Sequence, residues 1–329
     1  MIKYVRDRGL QCFARGRWRA RQRSIAAVCG MEKDGNIYEC IIIGAGPGGL
    51  QAAIHLARYN RKVLLIDRGG GRTTHAPHIL NYLGFSEVSG KDLITAGLEQ
   101  ARSFGVEIVR DVVTRVEKKD VFTVHAMETQ YQAPFVIVSA GAVDRQPSLR
   151  NLGRFFGKGF YTCVDCDGHL TTGRKLLVMG NSMNAARLVV GMKKMYTDDI
   201  ALLLTDYVLP DDDRQIIEEE ENITVYSGQP VALLGEEELE GVLLADDRVI
   251  PCRAVMAGFG WRLNDGFLSD LPLDRDRENF KILTGSSNES SLPGLYVVGA
   301  MKPGPPRRSS PPVRGAAAAI DINNQLLAL

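Results

Sequence analysis

Residues 38–66 constrain the fold more than any other stretch of the chain. An apolar run, Tyr38-Glu-Cys-Ile-Ile-Ile43, leads into Gly44-Ala45-Gly46-Pro47-Gly48-Gly49, and a helical pattern follows from Leu50 to Tyr59. Strand, glycine loop and helix in that order open a parallel α/β nucleotide-binding unit. Gly44 permits the tight turn, Gly46 lets the backbone approach a pyrophosphate, and Gly49 brings helix and strand together, while Pro47 and Gly48 complete the loop before the helix. The next predicted strand, Lys62 to Ile66, ends on Asp67, 23 residues after Gly44, where a carboxylate can reach a ribose hydroxyl.

A second strand and loop lie farther on. Arg174 to Met179 reads as a strand, and Gly180-Asn-Ser182-Met-Asn-Ala185 follows it. Ser182 stands where the pattern needs its middle glycine, so a side chain crowds the place of a pyrophosphate. The strand after it, Ile200 to Leu204, runs into Thr205-Asp206-Tyr207, which carries an acid and no cation.

Between the two loops stands Cys163-Val-Asp-Cys166-Asp167-Gly168. Two intervening residues let the thiols close a small ring at a helix start, where a thiolate is stabilised and its pKa falls toward about 7. The six cysteines of the chain are otherwise scattered and form no disulfide framework. Neither His169 nor His75 and His78 supplies zinc-ligand spacing. This usage points to redox chemistry in a reducing, cytoplasmic setting.

Composition narrows the class further. At 329 residues and 45% hydrophobic, the chain can hold two domains with separate cores. No apolar run reaches the roughly 18 residues of a membrane span. Residues 1–30 carry eight Lys or Arg and one Asp, and no basic stripe continues beyond them, which argues against nucleic acid as a partner. Residues 1–36 are expected to be a disordered basic leader or an upstream mis-start, with Met31 as an alternative first residue.

The chain resembles the low-molecular-weight thioredoxin reductases over residues 37–329. The glycine loop, Gly71-Arg72-Thr73-Thr74, Asn81-Tyr-Leu-Gly84, Ser139-Ala140-Gly141, Leu295 to Gly299 and Gly315 to Ile320 carry the likeness, as does the cysteine motif. The resemblance implies an α/β fold of two Rossmann-like domains, the second inserted in the first. Residues 37–147 and 252–329 would form the FAD-binding domain, and residues 148–251 the redox-disulfide insert. It implies FAD contacts at Gly44, Gly46, Pro47, Gly48, Gly49, Asp67, Arg72, Thr74, Asn81, Val113, Ala140, Gly141, Gly299, Ala300 and Arg307. Ala300 departs from the family, which has Asp after this glycine. The resemblance also assigns roles to the pair: Cys166 faces the flavin, Cys163 attacks the external disulfide, and Asp167 handles the proton.

Relatives that use NADPH carry a His-Arg-Arg cluster where this chain has Thr205-Asp206-Tyr207. Together with Ser182 this disfavours NADPH, and the pattern resembles a pyridine-nucleotide-independent branch with ferredoxin-linked and diflavin-linked members. The implied partners are a thioredoxin-like or other disulfide substrate, ferredoxin as a donor, and a second copy in a homodimer. A second FAD in the vacated nicotinamide site, stacked on Trp261 or Tyr207, is a further expectation. Three alternatives stay open: oxidation of a small-molecule dithiol, NADH use through Asp206, and a catalytically idle flavin-binding redox sensor.

Overall fold

The computed structural model describes residues 36–277, 280–303 and 311–328. In chain order these form β1 (Cys40–Ile43), α1 (Pro47–Arg58), β2 (Val63–Ile66), α2 (Gly90–Ser103) and β3 (Glu107–Val109). Next come β4 (Val113–Lys118), β5 (Phe122–Ala126), β6 (Gln130–Ala133), β7 (Phe135–Val138) and β8 (Ala142–Asp144). The middle of the chain holds α3 (Leu152–Phe155), β9 (Phe160–Tyr161), α4 (Val164–Asp167), β10 (Leu176–Gly180), α5 (Met183–Met195), β11 (Ile200–Leu204), α6 (Asp211–Glu218) and β12 (Ile223–Ser227). Then follow β13 (Pro230–Leu234), β14 (Gly241–Leu244), β15 (Val249–Pro251), β16 (Ala254–Ala257), β17 (Trp261–Leu263), β18 (Leu295–Val297) and α7 (Pro311–Leu327). The expected basic leader lies outside the described residues, apart from Asn36.

Contacts divide the chain into two compact units. Among the described residues the first takes 36–75, Lys91–Ala142 and those from Leu263 onward; the second takes Val143–Arg262 and also Ala76–Gly90. That last segment, read from the sequence as part of the first half, groups with the second because Asn81 and Pro77 meet residues there: Asn81 Nδ2 donates to the Asp165 carbonyl, and Pro77 abuts Gly157.

The first unit is built on a parallel sheet in the order β18-β7-β1-β2-β3. Every residue of β1, β2 and β7 is buried, as expected of parallel strands covered on both faces. One face packs on α1, α2 and α7 through Leu50, Leu56, Ala101 and Ile322. The other packs on the antiparallel β4-β5-β6 sheet through Val116, Phe122 and Val124. Each such fully buried Leu, Ile or Phe contributes about 1.5–3 kcal/mol relative to an exposed side chain. Helix α1 begins at Pro47 rather than Leu50, since a proline at the helix start costs no hydrogen bond.

The second unit repeats the plan. Its parallel sheet runs β12-β11-β10-β16-β9. Val178, Leu202 and Met256 face α5 through Ala185, Val189 and Met192. Leu177, Leu203 and Val255 face the antiparallel β13-β14-β15 sheet through Leu233, Val242 and Leu244.

Candidate functional site

Two sites stand out, one in each unit. In the first unit the loop from β1 to α1 is shaped by backbone contacts that exclude side chains. Gly44 has φ +101°, and a Cβ there would lie 2.6 Å from the Ser139 carbonyl oxygen; one on Gly49 would lie 2.1 Å from the Gly44 oxygen. Gly46 caps α1 without any side-chain hydrogen bond, and the first turn holds no acid. The leading N–H groups of the helix therefore have no side-chain capping bond, and the helix dipole favours an anion in front of them. This donor set fits the pyrophosphate of FAD.

Asp67 does more than the sequence reading assigns it. Its Oδ1 accepts from the Ala45 N–H at 2.9 Å and its Oδ2 from the Gly69 N–H at 2.9 Å, which fixes the glycine loop to the end of β2. Each oxygen keeps a second lone pair for a ribose hydroxyl. The Ala140 and Gly141 carbonyls are held by Asn264, whose Nδ2 and N–H donate at 3.0 and 3.1 Å. Thr74 lies in a 3-10 turn, Arg72 is exposed just before it, and Val113 opens β4. Arg307 lies outside the described residues.

Around Gly299 and the exposed Ala300 the structure gathers cations that sequence reasoning missed. Arg314 Nη1 donates to the Gly299 carbonyl at 2.9 Å. Lys302 Nζ donates to Asn288 Oδ1 at 2.6 Å, and Asn288 Nδ2 donates to the Arg314 carbonyl at 3.0 Å. Burial first, and then the charge of Arg314, holds Lys302 below the usual lysine range. Lys281 is lowered by burial and by Arg314 and Arg72, against the opposing pull of Asp276. Where the family has an acid, this chain builds a basic surround. Arg314 was legible only as the residue before Gly315; nothing in its spacing marks Gly299 as its partner.

In the second unit Cys163 and Cys166 are joined by a disulfide, with their Cα atoms 5.3 Å apart. Cys163 is the N-cap of α4, and the Cys166 N–H donates to its sulfur at 3.2 Å. Helix α4 is a single turn, so the dipole expected to favour a thiolate is short; the Cys166 N–H is the local donor. Cys166 and Asp165 are exposed and Cys163 is half-buried. Burial pushes the Asp167 carboxyl up to about 6, while His169 and then His78 pull it down. Asn81, expected at the flavin, has its Nδ2 donating at 3.1 Å to the Asp165 carbonyl in the cysteine turn.

The second nucleotide-type loop is tight. A Cβ on Gly180 would lie 2.5 Å from that of Ala185 and 2.9 Å from the Gly258 oxygen. Ser182 is the N-cap of α5 with extended backbone, and its hydroxyl makes no capping bond. Asp206 is exposed at φ +50°, and Tyr207 packs against the apolar face beside α5. Thr205 Oγ is buried with no hydrogen-bond partner among the described residues. Among the described residues no cluster of His, Cys, Asp or Glu could hold a metal, and no helix is long and apolar enough to cross a membrane.

Two Rossmann-like halves, an uncapped glycine loop in one and a vicinal cysteine pair in the other, define a dinucleotide-dependent disulfide oxidoreductase. Residues 38–318 match the family described as pyridine nucleotide-disulphide oxidoreductase, and the chain belongs to that family. It is 27% identical over 288 residues to the thioredoxin reductase of Listeria innocua, covering 83% of this chain and 88% of that protein. Over 155 residues, 45% of this chain and 48% of the relative, it is 36% identical to the thioredoxin reductase of Bacillus subtilis. The crystal structure of HlmI superposes with a TM-score of 0.81 at 30% identity, over 90% of this chain and 94% of HlmI. The thioredoxin reductase of Streptococcus pyogenes shares the fold, with a TM-score of 0.82 at 24% identity over 90% of this chain and all of that one. The chain is an FAD-dependent oxidoreductase acting on disulfides, similar to thioredoxin reductases.

Proposed function

We propose that this enzyme carries electrons between FAD and a disulfide partner through Cys163 and Cys166 without using NADPH. The observation that carries this reading is the second loop. Ser182 stands where a dinucleotide backbone contact needs glycine, and Asp206, not an arginine, is exposed at the end of β11. Removing charge-assisted hydrogen bonds costs about 1.5–3 kcal/mol each, and a carboxylate facing a 2′-phosphate adds repulsion. A donor of plant-type ferredoxin class, near −400 mV, lies about 130 mV below a thioredoxin pair, roughly 6 kcal/mol downhill for two electrons.

FAD, when bound, supplies reversible two-electron chemistry that accepts electrons one at a time. Gly44, Gly46, Pro47, Gly48 and Gly49 would seat its pyrophosphate and Asp67 its ribose; Val113 would lie at the adenine. Arg72, Thr74, Ala140, Gly141, Gly299 and Ala300 would line the remainder, with Arg307 following. Once the pair is reduced, the Cys163 thiolate attacks one sulfur of the partner disulfide and expels the other. Cys166 then closes on Cys163 and releases the second thiol. Asp167 carries protons from the pair to the leaving sulfurs, so the two protons of the dithiol end on the reduced partner. A thioredoxin-like protein is the proposed substrate class, and a homodimer the proposed assembly.

Anaerobic spectroscopy of the flavin-loaded protein tests the donor. Visible flavin absorbance should persist with NADPH and bleach with dithionite or reduced ferredoxin. Rapid, stoichiometric bleaching by NADPH overturns the proposal; bleaching by NADH alone would assign Asp206 to a ribose.

A further inference from the structure

The turn that follows β18 collects positive charge through hydrogen bonds that link distant parts of the first unit. Asn288 is 3% exposed and has φ +72°, a left-handed conformation that asparagine tolerates better than most residues. Its backbone is fixed on both sides: the N–H donates to the Gly285 carbonyl at 3.1 Å, and the carbonyl accepts from the Val297 N–H of β18 at 2.9 Å. From this anchor the side chain reaches two ways. Its Oδ1 accepts from Lys302 Nζ at 2.6 Å, and its Nδ2 donates to the Arg314 carbonyl at 3.0 Å. Arg314 closes the ring, donating from Nη1 to the Gly299 carbonyl at 2.9 Å.

Lys302 and Arg314 are thus held half-buried around one turn, and among the described residues neither forms an ion pair. An amide oxygen and a backbone carbonyl satisfy their hydrogen bonds but leave their charge uncompensated, and like charges taken partly out of water are costly until an anion joins them. Ala300 supplies no carboxylate beside them, and the first turn of α7 holds no acid. The fold brings this turn to the glycine loop. Strands β18, β7 and β1 are successive neighbours, and Gly299, Ser139 and Gly44 follow within two residues of their carboxyl ends, the edge at which open α/β sheets bind ligands. Gly315, next to Arg314, sits so close to that loop that a Cβ on it would lie 2.0 Å from the Gly48 oxygen. A Cβ on Gly299, at φ +74°, would meet no described atom within 4 Å, so open space borders the turn.

We propose that Lys302 and Arg314 are counter-cations of the FAD pyrophosphate, positioned by Asn288, so that side-chain charge holds the dinucleotide alongside the backbone N–H groups of the glycine loop. The inference rests on the reading of that loop as an FAD site. Each phosphate of the pyrophosphate carries a negative charge, which a lysine and an arginine at the Gly299 turn would neutralise. The exchange of an acid for alanine at position 300 then has a physical consequence: no carboxylate competes with the phosphates for these two cations.

The test is the equilibrium between holoprotein and free FAD, read by the fluorescence of released flavin from low to high NaCl. ADP serves as a displacing probe, because it carries a pyrophosphate without the flavin. Lys302→Met, which keeps the length of the side chain and removes its charge, should weaken FAD and ADP by the same factor, about tenfold at low salt. The salt dependence of both affinities should flatten, since one charge pair is no longer there to be screened. Lys302→Arg, which keeps the cation, should retain most of the affinity, and Arg314→Gln should repeat the loss seen in Lys302→Met. Weaker FAD with unchanged ADP in these variants would put the cations at the flavin half of the dinucleotide and overturn the proposal. Unaltered FAD affinity in Lys302→Met and Arg314→Gln overturns it as well. Wild-type protein that takes up neither FAD nor ADP would overturn the FAD reading itself, and this inference with it.

Discussion

Asp167 concentrates the residue-scale chemistry, because burial opposes its charge beside a pair that must lose protons. Its folded value of about 6 lies above the ordinary carboxyl value of 3.8. A raised carboxyl binds its proton more tightly in the folded state, so this contribution to stability is full below pH 4 and is lost as pH rises through 6. Two pKa units would carry about 3 kcal/mol for a dry group, and partial exposure screens this to about 1 kcal/mol. Asp167→Asn should therefore raise the denaturation midpoint at pH 8 and leave it nearly unchanged at pH 4, while slowing turnover at both. Equal midpoints for the two proteins at pH 8 would show that the carboxylate is not desolvated. The cysteines give a second prediction at this scale. Cys163→Ser and Cys166→Ser should each reduce disulfide turnover to background while retaining FAD, since each removes one sulfur of the exchange and leaves the glycine loop of the first unit unaltered. Full activity in both would exclude the pair.

At the scale of elements, the crossing of α1 and α7 ties the glycine loop to the C-terminal helix. A Cβ on Gly315 would lie 2.0 Å from the Gly48 carbonyl oxygen and 3.1 Å from the Ala52 nitrogen. Gly315→Ala should destabilise the first unit by about 1–3 kcal/mol through overpacking, and FAD should dissociate more readily because Gly48 belongs to the pyrophosphate loop. Unchanged thermal stability and FAD retention would refute the close crossing. These elements also show what the sequence could reveal. The β1 loop and α1 were legible because their information is local: glycine spacing, an apolar run and a proline at the helix start all lie within about twenty residues. The cysteine turn was legible for the same reason. The grouping of Ala76–Gly90 with the redox pair was not, since it depends on a hydrogen bond between residues 84 positions apart. Likewise the grip of Arg314 on Gly299 needs α7 to lie against the end of β18, and the reading from Gly315 to Ile320 marked only part of a helix that runs from Pro311 to Leu327.

Across the whole molecule, the two units carry separate cores on both faces of separate parallel sheets. Each core can unfold as its own cooperative block, so calorimetry should resolve two transitions. A ligand that binds only the folded state stabilises it by about 2.7 kcal/mol when present at a hundred times its dissociation constant. The two loops predict how FAD distributes this effect. In the first unit Gly46 makes no side-chain cap and the first turn of α1 holds no acid, so FAD should raise that transition. In the second, Ser182 would crowd any dinucleotide pyrophosphate, not only that of NADPH, and Tyr207 is half-buried beside α5. One FAD per chain is therefore expected, with added FAD moving a single transition. A flavin-to-chain ratio near two, with both transitions rising on FAD addition, would place a second flavin in the redox unit and show that Ser182 leaves room for it.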